Sequence, residues 1–459
     1  MSRKLSYSVD DESNDIVKKY EQFLVGTASG YFDVEELENI VEYYLRRGRT
    51  KDSARALELG LQLHPNSNAL KTKRAKTYVA TGDDLKALRI LDSLSVTSDY
   101  EVMLLKVEVL VKMERSIEAK QLVETILTQE TTEIDNICLD LAFVYLNRLD
   151  HANALALLQR GDKVNRKNLD LLFELAFCYE QSNDYENAII TYNRIIDIDS
   201  YTDEAWFNLG QIYFAKQDFY KALEAYEFAL TIDENDSLTC LQKGHVHFQL
   251  DQFEAAIECY LDYKRMTSNL WETEIFIAEC YEKLERYDES IQYYQSSLNV
   301  NPENYDALTG IGICLLEQER FLESKVYIDQ ALLIDQGVSD AWVYLAEAYI
   351  GLDETEAALD AYLKAIDLDN NQPDTLMAIA NIYFEKFEYD HALRYYLEAL
   401  EQDFTLEFIN LFIGVTYFKL DKVMDAIPYL KKAVDENEQA AELFIELCPE
   451  AVDKLMLDI

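Results

Sequence analysis

The amino-acid sequence predicts an all-α protein, a solenoid of short helices joined by tight turns. Glycine and proline are only 13 and 5 of the 459 residues, about 3% and 1% where about 7% and 5% are usual, which disfavours sandwiches, propellers and long disordered tails. Apolar residues make up 49% of the chain, and 32 tyrosines need packing sites. The chain is therefore expected to fold despite a net charge of −44.

The third observation is a repeat of 34 residues, which runs without an insertion from about residue 169 to residue 440. Two of its columns hold only small residues and extend back beyond residue 169. The first small column reads Ala142, Ala176, Gly210, Gly244, Ala278, Gly312, Ala346, Ala380 and Gly414. The second small column reads Ala154, Ala188, Ala222, Ala256, Ser290, Ser324, Ala358, Ala392 and Ala426. Small residues at fixed places indicate close helix crossings, because larger side chains would hold the backbones apart.

Each repeat is predicted to be a helix, a short turn and a second helix. Turns with an aromatic residue, such as Asn183–Tyr185, separate the two small columns. Second helices end in acidic or Asn/Pro segments such as Asp233–Asn235 and Asn301–Pro302, which are stop signals for a helix. Three residues after the first small column, seven of nine positions are tyrosine, with His247 and Leu315 at the other two. These aromatic side chains are expected to fill the space beside each crossing.

This pattern resembles the tetratricopeptide repeat, which carries W-x2-L-G-x2-Y, then A-x3-F, then P. The match is best in the repeat that holds Trp206, Leu209, Gly210, Tyr213, Ala222, Tyr226 and Ala229. The resemblance implies a right-handed superhelical solenoid of helix-turn-helix repeats. It also implies that the first helices line a concave groove, which holds an extended peptide or a helix of a partner protein.

The sequence predicts four regions. Residues 1–33 form an N-terminal segment with a helix around 15–25 and a break at 27–30, residues 34–134 form three divergent repeats, and residues 135–440 form nine regular repeats. Residues 441–459 are predicted to be a C-terminal capping helix, since Phe444, Leu447, Cys448, Ala451, Val452 and Leu455 follow helical spacing. A kink or restart is expected at Pro449. Such a cap would cover the apolar face that the last repeat leaves exposed.

Charge and motifs exclude several classes of function. A net charge of −44 repels phosphate backbones and anionic membrane surfaces, so nucleic acid is not an expected partner. No apolar run approaches the roughly 18 residues of a membrane helix, and no leader peptide is recognised, so the chain is expected to be cytoplasmic. The seven cysteines are widely spread and form no C-x-x-C pair. Neither a disulfide framework nor a zinc site is expected, and reduced thiols in the core are favoured.

No catalytic constellation is found, and the protein is predicted not to be an enzyme. The five histidines are scattered, and His245 and His247 are two residues apart, on different faces of a helix. His247 stands in the tyrosine column and is interpreted as a core residue. No cofactor and no metal are expected.

The expected function is a non-catalytic protein-protein interaction scaffold or adaptor that binds peptide segments or partner helices. The alternative is a structural protein that forms oligomers through its ends or charged surfaces. The carboxylate clamp of the co-chaperone subgroup needs Lys and Asn at places where this chain has residues such as Glu38 and Glu42, so a chaperone tail is not the expected ligand. Of the asparagine ladder of another subgroup, only Asn39 and Asn208 could be members.

Alignment of the first helices places an aromatic-rich set on or beside the groove in four successive repeats, residues 135–270. The set is Phe143, Phe173, Phe177, Phe207, Gln211, Phe214, His245 and Phe248. Phe143 and Phe177 stand where a small polar residue is common in the family. The sequence leaves two alternatives for these rings, which are binding of a partner and packing between neighbouring repeats.

A second predicted site lies in the N-terminal third of the chain. Residues 1–133 hold 19 Lys and Arg against 23 Asp and Glu, so this part is nearly neutral and the remainder strongly acidic. Lys73 and Lys76 are expected to face the groove. They either belong to a solvated charged helix or dock an acidic segment, which could be the acidic body of another copy.

Overall fold

The computed structural model describes residues 15–26, 30–94, 99–129, 132–267, 271–437 and 439–449. Throughout this part of the chain the regular structure is helical and no strand occurs, which confirms the predicted all-α fold of tandem repeats. The chain divides into two compact units, Met1–Gln217 and Asp218–Ile459, named unit 1 and unit 2. Residues 1–14, 27–29 and 450–459, on which parts of the terminal predictions fall, lie outside the described residues.

Unit 1 holds twelve helices among its described residues. They are α1 (15–24), α2 (Val34–Arg46), α3 (Thr50–Leu63), α4 (Asn68–Ala80), α5 (Asp84–Asp92), α6 (Tyr100–Lys112), α7 (Ser116–Gln129), α8 (Ile134–Leu146), α9 (His151–Val164), α10 (Leu169–Gln181), α11 (Tyr185–Ile198) and α12 (Asp203–Ala215). From α2 onward each helix packs against the next one along the chain, and α8 also packs against both α6 and α10.

Unit 2 holds fourteen helices among its described residues. They are α13 (Phe219–Ile232), α14 (Ser237–Gln249), α15 (Phe253–Met266), α16 (Trp271–Lys283), α17 (Tyr287–Val300), α18 (Tyr305–Glu317), α19 (Phe321–Ile334), α20 (Ser339–Gly351), α21 (Thr355–Leu368), α22 (Pro373–Glu385), α23 (Tyr389–Gln402), α24 (Ile409–Lys419), α25 (Val423–Glu436) and α26 (Gln439–Leu447). Sequential packing continues here, and α16, α18 and α20 also pack against one another in turn.

The two small columns lie where the helices of a repeat cross. Every member of both columns is buried. A β-carbon added to Gly312 of α18 would lie 2.6 Å from Cγ1 of Ile328 on α19. Where the second small column holds serine, the two helices lie close enough for its hydroxyl to bond to the backbone of the first helix. Ser290 Oγ donates to the Ala278 carbonyl at 2.9 Å, and Ser324 Oγ donates to the Gly312 carbonyl at 2.7 Å.

The turn inside each repeat contains one residue with left-handed backbone. In the first two repeats this residue is Gly48 or Gly82, for which a positive φ carries no steric penalty. Later repeats place larger residues there, first Glu114 and then, at a spacing of 34, Leu149, Asn183, Gln217, Asp251, Glu285, Glu319, Asp353, Phe387 and Asp421. The turn conformation therefore persists although the residue type does not.

Both ends of the described array carry an additional helix. In unit 1, Val17 and Tyr20 of α1 are buried, and the Tyr20 ring lies edge-on to Phe32 with the centroids 5.8 Å apart. In unit 2, α26 packs against α24 and α25, and it buries Phe444. Helix α26 ends at Leu447, before Pro449, and the predicted continuation of the cap after Pro449 lies outside the described residues.

Candidate functional site

A concave face of unit 1 is formed by α10 and α12, the first helices of two successive repeats. Spacings of three and four residues place Glu174, Phe177 and Gln181 on one face of α10, and Glu204, Asn208 and Gln211 on one face of α12. On the other face of α10, Leu171, Leu172 and Leu175 are buried in the core. The periodicity that packs each helix therefore also leaves these side chains facing outward.

A cavity of about 530 Å³ opens between these helices, and we call it the α10–α12 cavity. It is lined by Phe173, Glu174, Phe177, Glu180, Tyr192, Glu204, Asn208 and Gln211. A second hollow of about 360 Å³ shares Glu180 and Gln211 with it. Concavities of this size accommodate ligands, with apolar walls for contact area and a few polar groups for orientation.

Tyr192, from the second helix α11, forms the polar base of the cavity. Its side chain is buried, and its hydroxyl donates a hydrogen bond of 2.6 Å to Oε1 of Glu180. Asn208 also hydrogen-bonds to this hydroxyl. The Tyr192 ring lies edge-on to Phe173, with the centroids 6.3 Å apart. Phe173, Glu180 and Asn208 are thus held in place by one buried tyrosine.

The cavity is acidic and partly shielded from water. Burial, and then repulsion by Glu204, raise the pKa of Glu174 above its ordinary value. Burial also raises the pKa of Glu180, while the hydrogen bond from Tyr192 acts in the opposite direction. Burial therefore makes ionisation of both carboxyl groups more costly, and a cationic ligand would reduce that cost.

The predicted groove residues of unit 1 are not equally accessible. Phe143 on α8 and Phe177 on α10 are each 40% exposed, and the Phe177 ring also lies edge-on to His151, with the centroids 5.9 Å apart. Phe173 is half-buried and Gln211 is exposed. Three predicted residues, Phe173, Phe177 and Gln211, line the α10–α12 cavity together.

The other predicted aromatic residues are more enclosed. Phe207 and Phe214 of α12 are half-buried. In unit 2, His245 is half-buried, accepts or donates a hydrogen bond of 2.9 Å with the Tyr260 hydroxyl, and lies edge-on to Phe276. Phe248 packs edge-on to Phe253. His247 is buried, with its Nδ1 2.8 Å from Oε1 of Gln252, which agrees with its interpretation as a core residue.

The predicted lysine site already has partners within the chain. Nζ of Lys73 lies 3.1 Å from Oε2 of Glu42, and Lys76 forms an ion pair with Glu101. An acidic segment that docked here would have to compete with these two carboxylates. The proposal of docking at Lys73 and Lys76 is therefore less favourable than charge alone indicates.

Sequence reasoning did not identify the acidic half of the cavity. The predicted groove residues do not include Glu174, Glu180 or Glu204, and the sequence places Asn208 only in an asparagine ladder. The available signal was the column to which Glu174 and Asn208 belong, two residues before the first small column. Tyr192 carried no such signal, because its side chain reaches the cavity from a second helix.

The described residues contain neither a metal-binding cluster nor a membrane-spanning helix. No group of three or more His, Cys, Asp or Glu side chains there could hold a metal ion. No helix in those ranges has the length and the apolar character to cross a bilayer. All seven cysteines are free thiols, and all except the half-buried Cys259 are buried. Burial raises the pKa of thiols such as Cys138 and Cys178 to about 11, so these groups are poor nucleophiles at neutral pH.

Family models match the chain in both units. Models of the tetratricopeptide repeat match residues 203–236, 238–269, 275–304, 339–372 and 373–405. The model of the ChAPs, the Chs5p-Arf1p-binding proteins, matches residues 3–204, which is less than half of the chain. Comparison with curated protein sequences gives no significant match.

Several solved structures are similar to the chain. The Cut9-Hcn1 hetero-tetramer of APC/C is 15% identical over 90% of this chain and 94% of that chain, with a TM-score of 0.42. A tetratricopeptide repeat protein from Parabacteroides merdae is 14% identical over 55% and 99%, also with a TM-score of 0.42. YrrB, described as a TPR protein with an unusual peptide-binding site, is 20% identical over 41% and 96%, with a TM-score of 0.35. Likenesses at this level carry no conclusion on function.

Proposed function

This chain is a tetratricopeptide repeat protein, and from that premise we propose that it is a non-catalytic scaffold that holds a segment of a partner protein in the α10–α12 cavity. The observation that carries the proposal is the exposed Phe177 ring on the wall of a cavity of about 530 Å³. A large aromatic side chain that stays exposed in a concave site gains most when a partner covers it.

The cavity offers the groups that recognition of a peptide requires. Phe173 and Phe177 supply apolar area, whereas Asn208 and Gln211 supply amide groups that can bond to a peptide backbone. Glu180, fixed by the hydrogen bond from Tyr192, supplies carboxyl oxygen acceptors of defined position. No part of this arrangement resembles a nucleophile with its base, so binding is the function that the geometry supports best.

The test is selection of ligands from a random peptide library with the full chain as bait. Selected peptides are then titrated by fluorescence anisotropy against the wild type and the double variant Phe143→Ser/Phe177→Ser. We expect the double variant to bind them about tenfold or more weakly, which corresponds to the roughly 1.4 kcal/mol of a modest aromatic contact. Circular dichroism of both proteins checks that helicity and melting are unchanged.

The matched control is Phe404→Ser. Phe404 is 73% exposed in the turn before α24 of unit 2, so the same chemical change is made at a second exposed ring. Equal affinity of the selected peptides for all three proteins would overturn the proposal. If the double variant unfolds, the single variant Phe177→Leu, which keeps an apolar side chain, takes its place.

A further inference from the structure

The carboxylates of the α10–α12 cavity have no basic partner, although several acidic side chains elsewhere in unit 1 do. No lysine or arginine lines the cavity, and no described one forms a salt bridge with Glu174, Glu180 or Glu204. Elsewhere in unit 1 acidic side chains are paired repeatedly. Glu124 accepts from Arg160, Asp162 accepts from Arg194, and Glu186 accepts from Lys216.

The three carboxylates converge beside aromatic surface. Glu174 and Glu180 share α10 with Phe173 and Phe177, and Glu204 faces them from α12. Repulsion between Glu174 and Glu204 is strong enough to contribute to the raised pKa of Glu174. Glu174 is half-buried and Glu204 is exposed, so in the empty protein their repulsion is unfavourable mainly for Glu174, and a positive charge that enters reduces this cost.

We infer that the segment held by the α10–α12 cavity is basic, and that one of its lysine or arginine side chains enters between the Phe177 ring and the carboxylates of Glu174, Glu180 and Glu204. This inference rests on the function proposed above and names the chemistry of the partner. The alkyl part of such a side chain packs on the rings, and its charged end also interacts with their faces.

The same geometry disfavours the other occupants. A C-terminal carboxylate, an acidic segment or a phosphorylated segment would bring like charge to three carboxylates that have no basic partner. A purely apolar segment would cover Phe177 but would leave those carboxylates in a drier site without a basic partner, which is costly. Only a basic segment both covers the Phe177 ring and brings a positive charge to the carboxylates.

The test uses two random peptide libraries and the full chain. One library contains lysine and arginine, and in the other glutamine replaces both. We expect binders that depend on Phe177 from the basic library alone. Binders of equal affinity from both libraries would overturn the inference and leave the proposed function standing. If neither library yields binders that depend on Phe177, the proposed function fails together with the inference.

A charge-matched pair of variants gives the second readout. Glu174→Gln/Glu204→Gln removes two charges from the cavity and leaves the Glu180 to Tyr192 bond intact. Glu224→Gln/Glu258→Gln removes two charges from exposed sites on α13 and α15. Glu174→Gln/Glu204→Gln should weaken binding of the basic peptides about tenfold, because charge-assisted contacts are lost. The affinity of this variant should also depend less on salt concentration than that of the wild type. Equal effects of the two pairs would attribute binding to net charge and overturn the inference.

Discussion

At the scale of single residues, the small columns follow directly from geometry. Each repeat must bring two helix backbones close together, and the same constraint recurs every 34 residues, so the sequence displays it nine times. Gly312 shows why the constraint is strict. The nearest atoms to a β-carbon at this position belong to Ile328, a buried side chain in the middle of the neighbouring helix, so the neighbour has little room to move.

Replacing Gly312 with leucine is expected to destabilise the protein by about 1–3 kcal/mol, because an overpacked crossing forces side chains off their rotamers. The control is Glu224→Leu, which places the same side chain on an exposed position of α13. Urea unfolding followed by circular dichroism measures both. Equal stability of the two variants would contradict the packing assignment.

Glu279 in unit 2 is an acidic residue whose ionisation opposes folding. Burial, and then repulsion by Glu282 and Asp306, raise its pKa from 4.5 to about 7. Between these values the unfolded chain loses the proton before the folded chain does. The folded state therefore binds more protons in that window, and this group's contribution to stability falls as the pH rises.

Glu279→Gln is accordingly expected to raise the melting temperature by about 2–4 °C at pH 8, and to have little effect near pH 4.5, where the native carboxyl is already neutral. Melting curves of wild type and variant across this range provide the measurement. A stabilisation that is independent of pH, or greatest in acid, would contradict a raised pKa at Glu279.

At the scale of elements, the turns contain a left-handed residue that the sequence pattern does not reveal in most repeats. Glycine marks the left-handed position only at Gly48 and Gly82, because later repeats place leucine, phenylalanine, asparagine, glutamine, glutamate or aspartate there. Hydrogen bonds to the preceding helix hold the conformation: at Leu149 the amides of Leu149 and Asp150 donate to the carbonyls of Leu146 and Tyr145 at 2.9 and 3.0 Å. The steric cost of a β-carbon at a positive φ is therefore offset by the hydrogen bonds and packing of the surrounding repeat.

Leu149→Gly should therefore stabilise the protein by about 1 kcal/mol, since glycine adopts a positive φ without the steric cost of a β-carbon. Leu149 is 79% exposed, so little packing is lost. Leu149→Ala is the control, because it shortens the side chain but keeps the β-carbon. Urea unfolding measures both variants. If Leu149→Ala raises the free energy of unfolding as much as Leu149→Gly does, the gain comes from removal of an exposed leucine side chain and not from the backbone.

Part of the candidate site could be predicted from elements alone. The phase of a first helix is fixed by its small and apolar residues, so the outward positions of Phe143, Phe177 and Gln211 follow from the sequence. The arrangement of α10 beside α12 determines which of these residues share a cavity, and a single sequence does not reveal that. The contribution of Tyr192 could not be foreseen, since it depends on a side chain that crosses between two first helices.

At the scale of the whole molecule, the excess of 86 acidic over 42 basic residues opposes association of identical copies. Sedimentation velocity should give one species with the 53.2 kDa mass of the chain over a wide range of concentration at low salt. This outcome favours the scaffold over the alternative of a self-assembling structural protein. A mass that increases with protein concentration would favour assembly.

The central claim is that the face of α10 that carries Phe177 touches the partner. Site-specific photo-cross-linking tests it most directly: benzoylphenylalanine is introduced at position 177, or at position 404 as control, and the full chain is irradiated with a labelled peptide from the basic library. We predict a covalent adduct at position 177 whose yield falls when unlabelled peptide competes, and none at position 404. An adduct at both positions, or at neither while the peptide is bound, would contradict the account.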